Sequence, residues 1–458
     1  MKSEIKVRMT RKKKRELEKA NIFKELLKII NSCFKELIPI LNQVEDKRHQ
    51  SYVEYKPQEI LYVMLMAQVM TIGTMKDVTG SFNTQVCIEN FKKIFKNQEL
   101  KEIPHHDTIN NFLKILQPKE LEKIRKYMIK EIIKRKTFYR YKYNKQWQVI
   151  VDGTGLYYFK EKHCKHCLTK RYTNKKTGEE EIRYYHNVLE AKLVVGEFVF
   201  SIGTEFIENE RENVTKQDCE RKAFKRLAAK IKKEYPKLKI CLLGDSLYAN
   251  EPVRKICDKN KWGYIIRFKS GSASNLWEEY ESIKKIQTSQ GKAFEKQEII
   301  RPKGKAEIKR RYNWVNYIMY EGETLTIIEL REKVENKEKS FIYLSSKRAN
   351  KNNIEKLVMT GRKRWKIENE GFNIQKNHGY NLHHLFSKDA NTMKNHYLII
   401  QLAHMIRQLY DKGTKTAKML KNSIKKESER LLNSLTSKVL TTTELLEIQT
   451  TKIQLRLE

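Results

Sequence analysis

Apolar residues at helical spacing dominate the first third of the chain. Over Ile22–Ile38 they recur every three or four positions, and Pro39 then interrupts the pattern. Glu59–Met70 repeats the spacing, and His106–Ile109 has the residue types of a helix N-terminal cap. These patterns predict an α-helical, basic N-terminal domain over residues 1–145, which is typical of a DNA-binding region. The alternative is a helical bundle that only packs on the core.

After residue 145 the pattern changes to that of strands rich in β-branched and aromatic residues. The predicted elements, in chain order, are strands over Gln146–Val151, Tyr185–Val195 and Glu197–Ile207, a helix over Lys216–Tyr235, a strand over Lys239–Leu243, a helix from Pro252 through Cys257, and a strand over Trp262–Phe268. Antiparallel strands followed by parallel strands with helical crossovers form a mixed α/β sheet. We therefore predict that residues 146–270 are the first part of an α/β core.

A second group of strand patterns follows, over residues 271–347. The predicted strands are Phe294–Arg301, Arg311–Glu321, Glu323–Lys333 and Lys339–Leu344. This region would be a β-rich insertion in the core. Helical sequence returns over residues 348–410 and would complete the core, and residues 411–458 would form a basic C-terminal tail.

The chain carries 94 Lys plus Arg against 56 Asp plus Glu in 458 residues, a formal net charge of +38. A charge of this size favours a polyanionic partner, DNA or RNA. The seven cysteines are odd in number and lie mostly in apolar or helical contexts, which is typical of reduced thiols in the cytosol. No run of about 18 apolar residues is present, so we expect a cytoplasmic protein without a membrane partner.

Three acidic residues differ from this basic background. Asp152 and Asp245 each end an apolar run with strand character, and Glu368 lies in a helical segment. Open α/β sheets place their sites at the carboxyl ends of strands, so the two aspartates would lie at one sheet edge. Carboxylates held there can bind two Mg²⁺ or Mn²⁺ ions for phosphodiester cleavage. The alternative is that each aspartate is an ordinary turn or cap residue.

The helix that carries Glu368 also carries Glu370. At about 100° per residue, Arg364 lies about 40° from Glu368 around the helix, and Glu370 lies about 160° away. Only one of the two glutamates can therefore face the metal ions. Glu368 is favoured because Arg364 accompanies it, and an arginine there can orient a carboxylate or hold a phosphate. Glu370 stays open as the alternative.

Three segments carry a resemblance to a known family. They are Asp152-Gly153-Thr154-Gly155, Leu243-Gly244-Asp245-Ser246-Leu247-Tyr248-Ala249 and Arg364-Trp365-Lys366-Ile367-Glu368-Asn369. These segments resemble the three active-site blocks of bacterial insertion-sequence DDE transposases. The branch they resemble has a Tyr-Arg-Glu-Lys signature and a ribonuclease H-like core interrupted by a β-rich insertion. The resemblance covers about residues 146–410 and implies a ribonuclease H-like mixed sheet.

The resemblance implies that Asp152, Asp245 and Glu368 are the catalytic metal ligands and that Arg364 contacts a phosphate. We therefore expect a DNA transposase that cleaves transposon ends and joins the 3′-OH to target DNA. Its partners would be the inverted repeats and target DNA, bound by a homodimer or larger assembly at the bacterial nucleoid. A metal-dependent nuclease without strand transfer and a non-catalytic, transposase-derived DNA-binding protein are the alternatives.

The match to the family signature is incomplete. The signature Tyr falls at Gly361 and is absent, and the signature Lys falls at Gln375. Lys376 comes one residue later, as if Gly371 inserts a position, and is the candidate DNA contact. The resemblance also implies that Trp314, in the insertion, can receive a base flipped from the transposon end, although an aromatic residue in a strand is more often part of a core.

A Cys-x-x-Cys pair lies between two predicted strands. Cys164 and Cys167 are half of a structural zinc site, to which His163 or His166 could add a ligand. No second Cys-x-x-Cys follows, and close neighbours in sequence cannot easily all reach one tetrahedral ion. A pair of reduced thiols on a loop is therefore the favoured interpretation.

Overall fold

The computed structural model describes residues 21–162, 164–173, 178–211, 214–292, 294–304 and 306–455. The helical pattern at the start of the chain is confirmed, and helices fill the region before the sheet. They are α1 (Ile22–Cys33), α2 (Leu37–Asn42), α3 (Pro57–Val69), α4 (Met75–Phe82), α5 (Gln85–Phe95), α6 (His106–Ile115) and α7 (Pro118–Lys134). The protein is thus mixed α/β, with a helical N-terminal region and a mixed sheet.

Ten strands of the described residues form one sheet. They are β1 (Trp147–Phe159), β2 (Leu168–Thr173), β3 (Glu180–Val195), β4 (Phe198–Ile207), β5 (Ile240–Gly244), β6 (Gly263–Phe268), β7 (Glu295–Ile300), β8 (Ile308–Tyr320), β9 (Glu323–Val334) and β10 (Lys337–Ser345). Their order is β2–β3–β1–β5–β6–β10–β9–β8–β7, and β4 pairs with β3. Since β1 occupies one edge of β3, strands β2 and β4 share the other edge, one after the other along its length.

The direction of pairing changes at β1. Strands β4, β3 and β1 are antiparallel, whereas β1, β5 and β6 run parallel. The parallel strands need crossovers, which the helices α8 (Glu220–Glu234) and α9 (Glu251–Asn260) supply. The mixed sheet with helical crossovers that the sequence predicts is confirmed.

The predicted β-rich segment extends the same sheet. Strand β10 pairs antiparallel with β6, so the sheet continues from the core into β9, β8 and β7. Within residues 146–347 the sequence pattern missed strand β2 and helix α10 (Ser274–Ser289). Both are rich in polar residues, and about half of the residues of each are exposed, which weakens the apolar pattern on which the prediction rests.

Helices after the sheet return to the N-terminal region. They are α11 (Ile354–Arg362), a π-helix (Ile367–Phe372), α12 (Asn373–Asn377), α13 (Ala390–Gly413), α14 (Lys415–Leu420), α15 (Ile424–Ser437) and α16 (Thr442–Thr450). Helix α13 is buried along most of its length and packs against α3, α6, α7 and β4. It therefore joins the N-terminal helices to the sheet.

Buried polar groups connect α7, β3, β4 and α13. Glu190 on β3 is fully buried and accepts hydrogen bonds from Thr204 Oγ1 (2.7 Å) and Tyr397 Oη (2.9 Å). Arg125 of α7 is also buried and donates to Thr204. Since a buried charge needs polar partners, this network specifies how the N-terminal helices dock on the sheet.

The region predicted as a basic tail is helical and packed. Helices α15 and α16 contact α1, and α15 also contacts α5. Asn90 of α5 is fully buried and holds this contact: its Nδ2 donates to the carbonyls of Leu435 (2.8 Å) and Lys438 (2.9 Å), and its Oδ1 accepts from the Leu440 N–H (2.8 Å).

We expect Asn90→Ala to loosen these C-terminal helices. The substitution leaves two buried backbone groups and one partly buried one without partners, so the free energy of unfolding should fall by about 2–4 kcal/mol. Urea denaturation measures the loss, and limited proteolysis should cut first between α14 and α16. The control is Asn377→Ala, since Asn377 is exposed and bonds only Asn373 of its own helix among the described contacts. Equal effects of the two substitutions would contradict the prediction.

Among the described residues, no helix is both long enough and apolar enough to cross a membrane.

Candidate functional site

Asp152 and Asp245 lie on neighbouring parallel strands. The register of β1 and β5 pairs Ile150 with Leu243, and two further residues along each strand lead to Asp152 and Asp245. Asp245 directly follows the last residue of β5, and its Oδ1 accepts the Leu247 N–H (2.9 Å), which fixes the turn there. The two carboxylates therefore meet at the carboxyl end of β5.

The prediction that the strand ends at Asp152 is wrong. Strand β1 continues to Phe159 because β3 pairs with it as far as Tyr184. Only the pairing with β5 stops, at Ile150. Asp152 is thus held on a continuous strand while one side of that strand is open, which gives its carboxylate both a rigid backbone and access.

Two basic side chains of the later helical segment reach β1 at this point. Arg364 Nη1 lies 3.2 Å from Asp152 Oδ2, and Lys376 Nζ donates to Thr154 Oγ1 (2.6 Å). Asp152 and Thr154 face the same side of the sheet, since alternate residues of a strand do so. The segment that contains Glu368 therefore lies across this face of β1, between its two contacts.

The helix that carries Glu368 is not a regular α-helix. Residues Ile367–Phe372 form a π-helix, the wider turn that an extra residue produces. As a result Gln375 faces the interior, where it is fully buried and bonds Gln401 and His404, whereas Lys376 faces β1. The extra residue thus brings Lys376 to β1 one position later than the family signature implies.

The two glutamates of the π-helix have different surroundings. Glu370 forms ion pairs with Lys366 (2.5 Å) and Lys412 (3.4 Å). Glu368 is exposed, on a turn that lies against β1 and β4. Glu368 is therefore accessible to a ligand, whereas the carboxylate of Glu370 is already paired with two lysines.

Residue 361, where the resemblance would place a Tyr, has no room for a side chain. A Cβ at Gly361 would lie 2.7 Å from the ring of Tyr343 and 3.0 Å from Ile265. Tyr343, which is buried on β10, already fills the space into which a side chain at residue 361 would point.

A further acid, Glu220, lies beside the aspartates, although its sequence pattern does not single it out. It begins α8, on the side of the sheet opposite to Arg364, and it occupies the space that Gly153 leaves: a Cβ there would lie 2.5 Å from Glu220 Oε1. The buried Tyr248 donates to Glu220 Oε2 (3.2 Å). Glu220 follows a polar loop at the start of a helix, and nothing in that local sequence indicates that it lies next to Asp152. Gly153 was the available signal, since a glycine leaves space for a neighbouring side chain.

Two of these carboxyl groups, Asp152 and Glu220, have raised pKa values. Burial raises the pKa of Asp152 to about 6, Arg364 opposes this, and the charges of Asp245 and Glu220 add to it. Burial also raises the pKa of Glu220, while the Tyr248 hydrogen bond opposes the shift and Asp245 adds to it. More negative charge is therefore concentrated here than Arg364 compensates.

Two tryptophans differ in their access to a nucleic acid base. Trp314 is 2% exposed on β8 and stacks on Phe294 at a ring distance of 6.1 Å, so a base could reach its ring only by displacing that neighbour. Trp365 is 52% exposed, and the guanidinium of Arg364 lies over its ring at 4.9 Å. The accessible aromatic surface beside Asp152 is therefore that of Trp365.

Residues 38–128 match the family described as DDE_Tnp_1-associated. No curated protein matches the chain. The matched residues lie in the helical region before the sheet, so the match is independent of Asp152, Asp245 and the segment around Glu368. It points to a DDE-type transposase family.

Proposed function

We propose that this protein is a DNA transposase with a ribonuclease H-like core, which cleaves transposon ends and joins the freed 3′-OH to target DNA. The observation that carries the proposal is the meeting of Asp152, Asp245 and the Arg364 segment, which are far apart in sequence, at the end of β5. The antiparallel β4–β3–β1 group followed by parallel β5 and β6 supports the assignment of the core. The family match over residues 38–128 supports it independently.

The donor set suits two Mg²⁺ or Mn²⁺ ions. Asp152, Asp245 and Glu368 offer carboxylate oxygens, the ligand type that these ions prefer. The pKa of Asp152 is raised mainly by burial and further by the negative charges of Asp245 and Glu220, which a cation would neutralise. Glu220 adds a further carboxylate near Asp152 and Asp245, from the opposite side of β1. Such ions, when bound, activate the attacking oxygen and stabilise the leaving oxygen.

The basic side chains have complementary roles in this proposal. Arg364 holds a phosphate oxygen through its paired N–H groups, and Lys376 neutralises backbone charge next to it. In the first step a water oxygen bonds to phosphorus and the 3′ oxygen of the transposon end leaves. In the second step that 3′ oxygen bonds to a target phosphorus and the target's own 3′ oxygen leaves. No covalent intermediate with the protein is formed.

A strand-transfer assay tests the proposal. An oligonucleotide with the element's end sequence and a free 3′-OH is incubated with a target plasmid, protein and Mg²⁺, and we expect joined product. The same oligonucleotide with a 3′-dideoxy end is the control and should not be joined. Cutting without joining would identify a nuclease, and DNA binding without either reaction would identify a non-catalytic protein.

We expect Mg²⁺ to stabilise the protein in a pH-dependent way. The pKa of Asp152 is about 6 in the folded protein against 3.8 ordinarily. Its ionisation therefore destabilises the metal-free folded state increasingly as pH rises from about 4 to about 6, by on the order of 2 kcal/mol. Mg²⁺ should thus raise the melting temperature strongly near pH 7.5 and weakly near pH 5, where Asp152 is largely protonated.

Calorimetry on the wild type and Asp152→Asn measures this difference. The variant should be more stable than the wild type without metal near pH 7.5, and Mg²⁺ should add less to it. The control is Asp258→Asn, which alters an exposed carboxylate on α9. Equal stabilisation of the wild type by Mg²⁺ at both pH values would contradict the prediction.

A further inference from the structure

Three metal-binding side chains meet at the far end of β1, away from the acidic site. Cys164 Sγ lies 3.5 Å from His186 Nε2, and Cys167 Sγ lies 3.6 Å from the same nitrogen. The two sulfurs are 3.0 Å apart. We propose that Cys164, Cys167 and His186 bind a zinc ion.

Strand pairing explains why His186 joins the cysteine pair. Strand β2 begins at Leu168, directly after Cys167, and Leu168 pairs with Tyr185 of β3. His186 is the next residue of β3, so the antiparallel register brings it beside Cys167. Cys167 and His186 are 2% and 3% exposed, and such burial makes them defined ligands rather than mobile surface groups.

Hydrogen bonds hold the cysteine turn in place. Asn209, after β4, donates through Nδ2 to the Cys167 carbonyl (2.9 Å) and through its backbone N–H to the His166 carbonyl (3.1 Å). His166 Nδ1 is 2.8 Å from the Asn209 carbonyl, so His166 takes part in this support. His163, the other candidate from the sequence, lies outside the described residues. The turn is therefore positioned by contacts that do not depend on a metal.

The distances suit zinc better than a disulfide. With Zn–S near 2.3 Å and Zn–N near 2.0–2.1 Å, a tetrahedral ion keeps sulfur and nitrogen ligands about 3.5 Å apart, as found here. The sulfurs would have to separate from 3.0 Å to about 3.8 Å, a movement that the half-buried Cys164 can make. Two thiolates and a neutral imidazole also balance the ion's charge in this buried position, and a water molecule can complete the tetrahedron.

The zinc ion would fasten the connection between β1 and β2 to β3. Lys160 and Lys165 of this connection and Lys170 and Arg171 of β2 are exposed, so the site would hold a basic surface against the sheet. The register puts His186 opposite Tyr157, five residues beyond Asp152 and thus about 17 Å along β1. Zinc here is structural and separate from the carboxylates, and its presence does not depend on the proposed transposase activity.

Metal analysis of the purified full-length protein tests the proposal. We expect one zinc per chain, and the cobalt-substituted protein should show a thiolate-to-cobalt charge-transfer band and tetrahedral visible bands. Cys164→Ser should weaken zinc binding by at least about 100-fold. Cys219→Ser is the matched control, since Cys219 is exposed and lies outside the cluster, and it should keep the wild-type affinity.

Two results would overturn the proposal. One is reduced wild-type protein that neither contains zinc nor binds added zinc. The other is a Cys164–Cys167 disulfide in freshly purified protein that, once reduced, gives no thiolate band with cobalt. If Cys164→Ser fails to fold, the cobalt spectrum of the wild type still decides, because it reports the ligands directly. Wild-type protein that binds zinc but carries out no strand transfer would count against the proposed function and not against the zinc site.

Discussion

Asp245→Asn is expected to abolish Mg²⁺-dependent DNA cleavage while DNA binding persists. Asp245 lies on the turn after β5, beside Asp152, and the substitution keeps the size and the Leu247 hydrogen bond while removing the charge. A metal site that loses one of its few carboxylates loses its charge balance, so we expect cleavage to fall at least about 1,000-fold. The same holds for Asp152→Asn.

Cleavage is measured on a plasmid that carries the coding region with its native flanks, and binding by fluorescence anisotropy. Asp258→Asn is the control, because this aspartate is exposed on α9 and its loss removes the same charge. Its cleavage rate should stay near that of the wild type. Cleavage retained by either site variant would remove that residue from the proposed metal site.

Three glutamine substitutions are expected to rank the glutamates around the aspartates. Glu368→Gln should lose at least about 1,000-fold in cleavage, because the exposed carboxylate lies on the turn that crosses β1. Glu370→Gln should lose less than about tenfold, since its carboxylate pairs with Lys366 and Lys412. Glu220→Gln should lie between them, at about 10- to 100-fold, because Glu220 approaches Asp152 through the space at Gly153.

The same cleavage assay and melting temperatures with and without Mg²⁺ distinguish these variants. Glu370→Gln serves as the matched control for Glu368→Gln, because it makes the same chemical change two residues away on the same turn. A loss in Glu220→Gln equal to that in Asp245→Asn, together with an active Glu368→Gln, would identify Glu220 as the third essential acid. Loss in Glu370→Gln alone would reverse the choice between the two glutamates of the π-helix.

The sequence was informative wherever the pattern is local. Helix α8 lies within the predicted Lys216–Tyr235, and β5 lies close to the predicted Lys239–Leu243, because apolar spacing reports directly which face is buried. Strand β2 and helix α10 were missed because both are rich in polar residues and about half exposed. The boundary of β1 was also wrong, because a strand continues as long as any neighbour pairs with it.

The residues of the candidate site also fall into those that the sequence pattern identifies and those that it does not. Asp152 and Asp245 were recognisable because each follows an apolar run, and the adjacent strand register accounts for their meeting. Glu220 was not recognisable from the sequence. Its position next to Asp152 depends on the packing of α8 against Gly153, which lies 67 positions earlier in the chain. His186 was not linked to the cysteine pair because β2, whose register brings it there, was itself unpredicted.

The sequence by itself determined the types of most elements, the strong positive charge and the acidic residues that could serve phosphoryl transfer. Only the tertiary structure decided which side chains share a site. Strand register, and one extra residue within a helix, change which neighbours the side chains point toward. Gln375 and Lys376 show this, since one faces the interior and the next faces β1. These directions are set by contacts between distant segments, and hydrophobic spacing along the chain does not contain them.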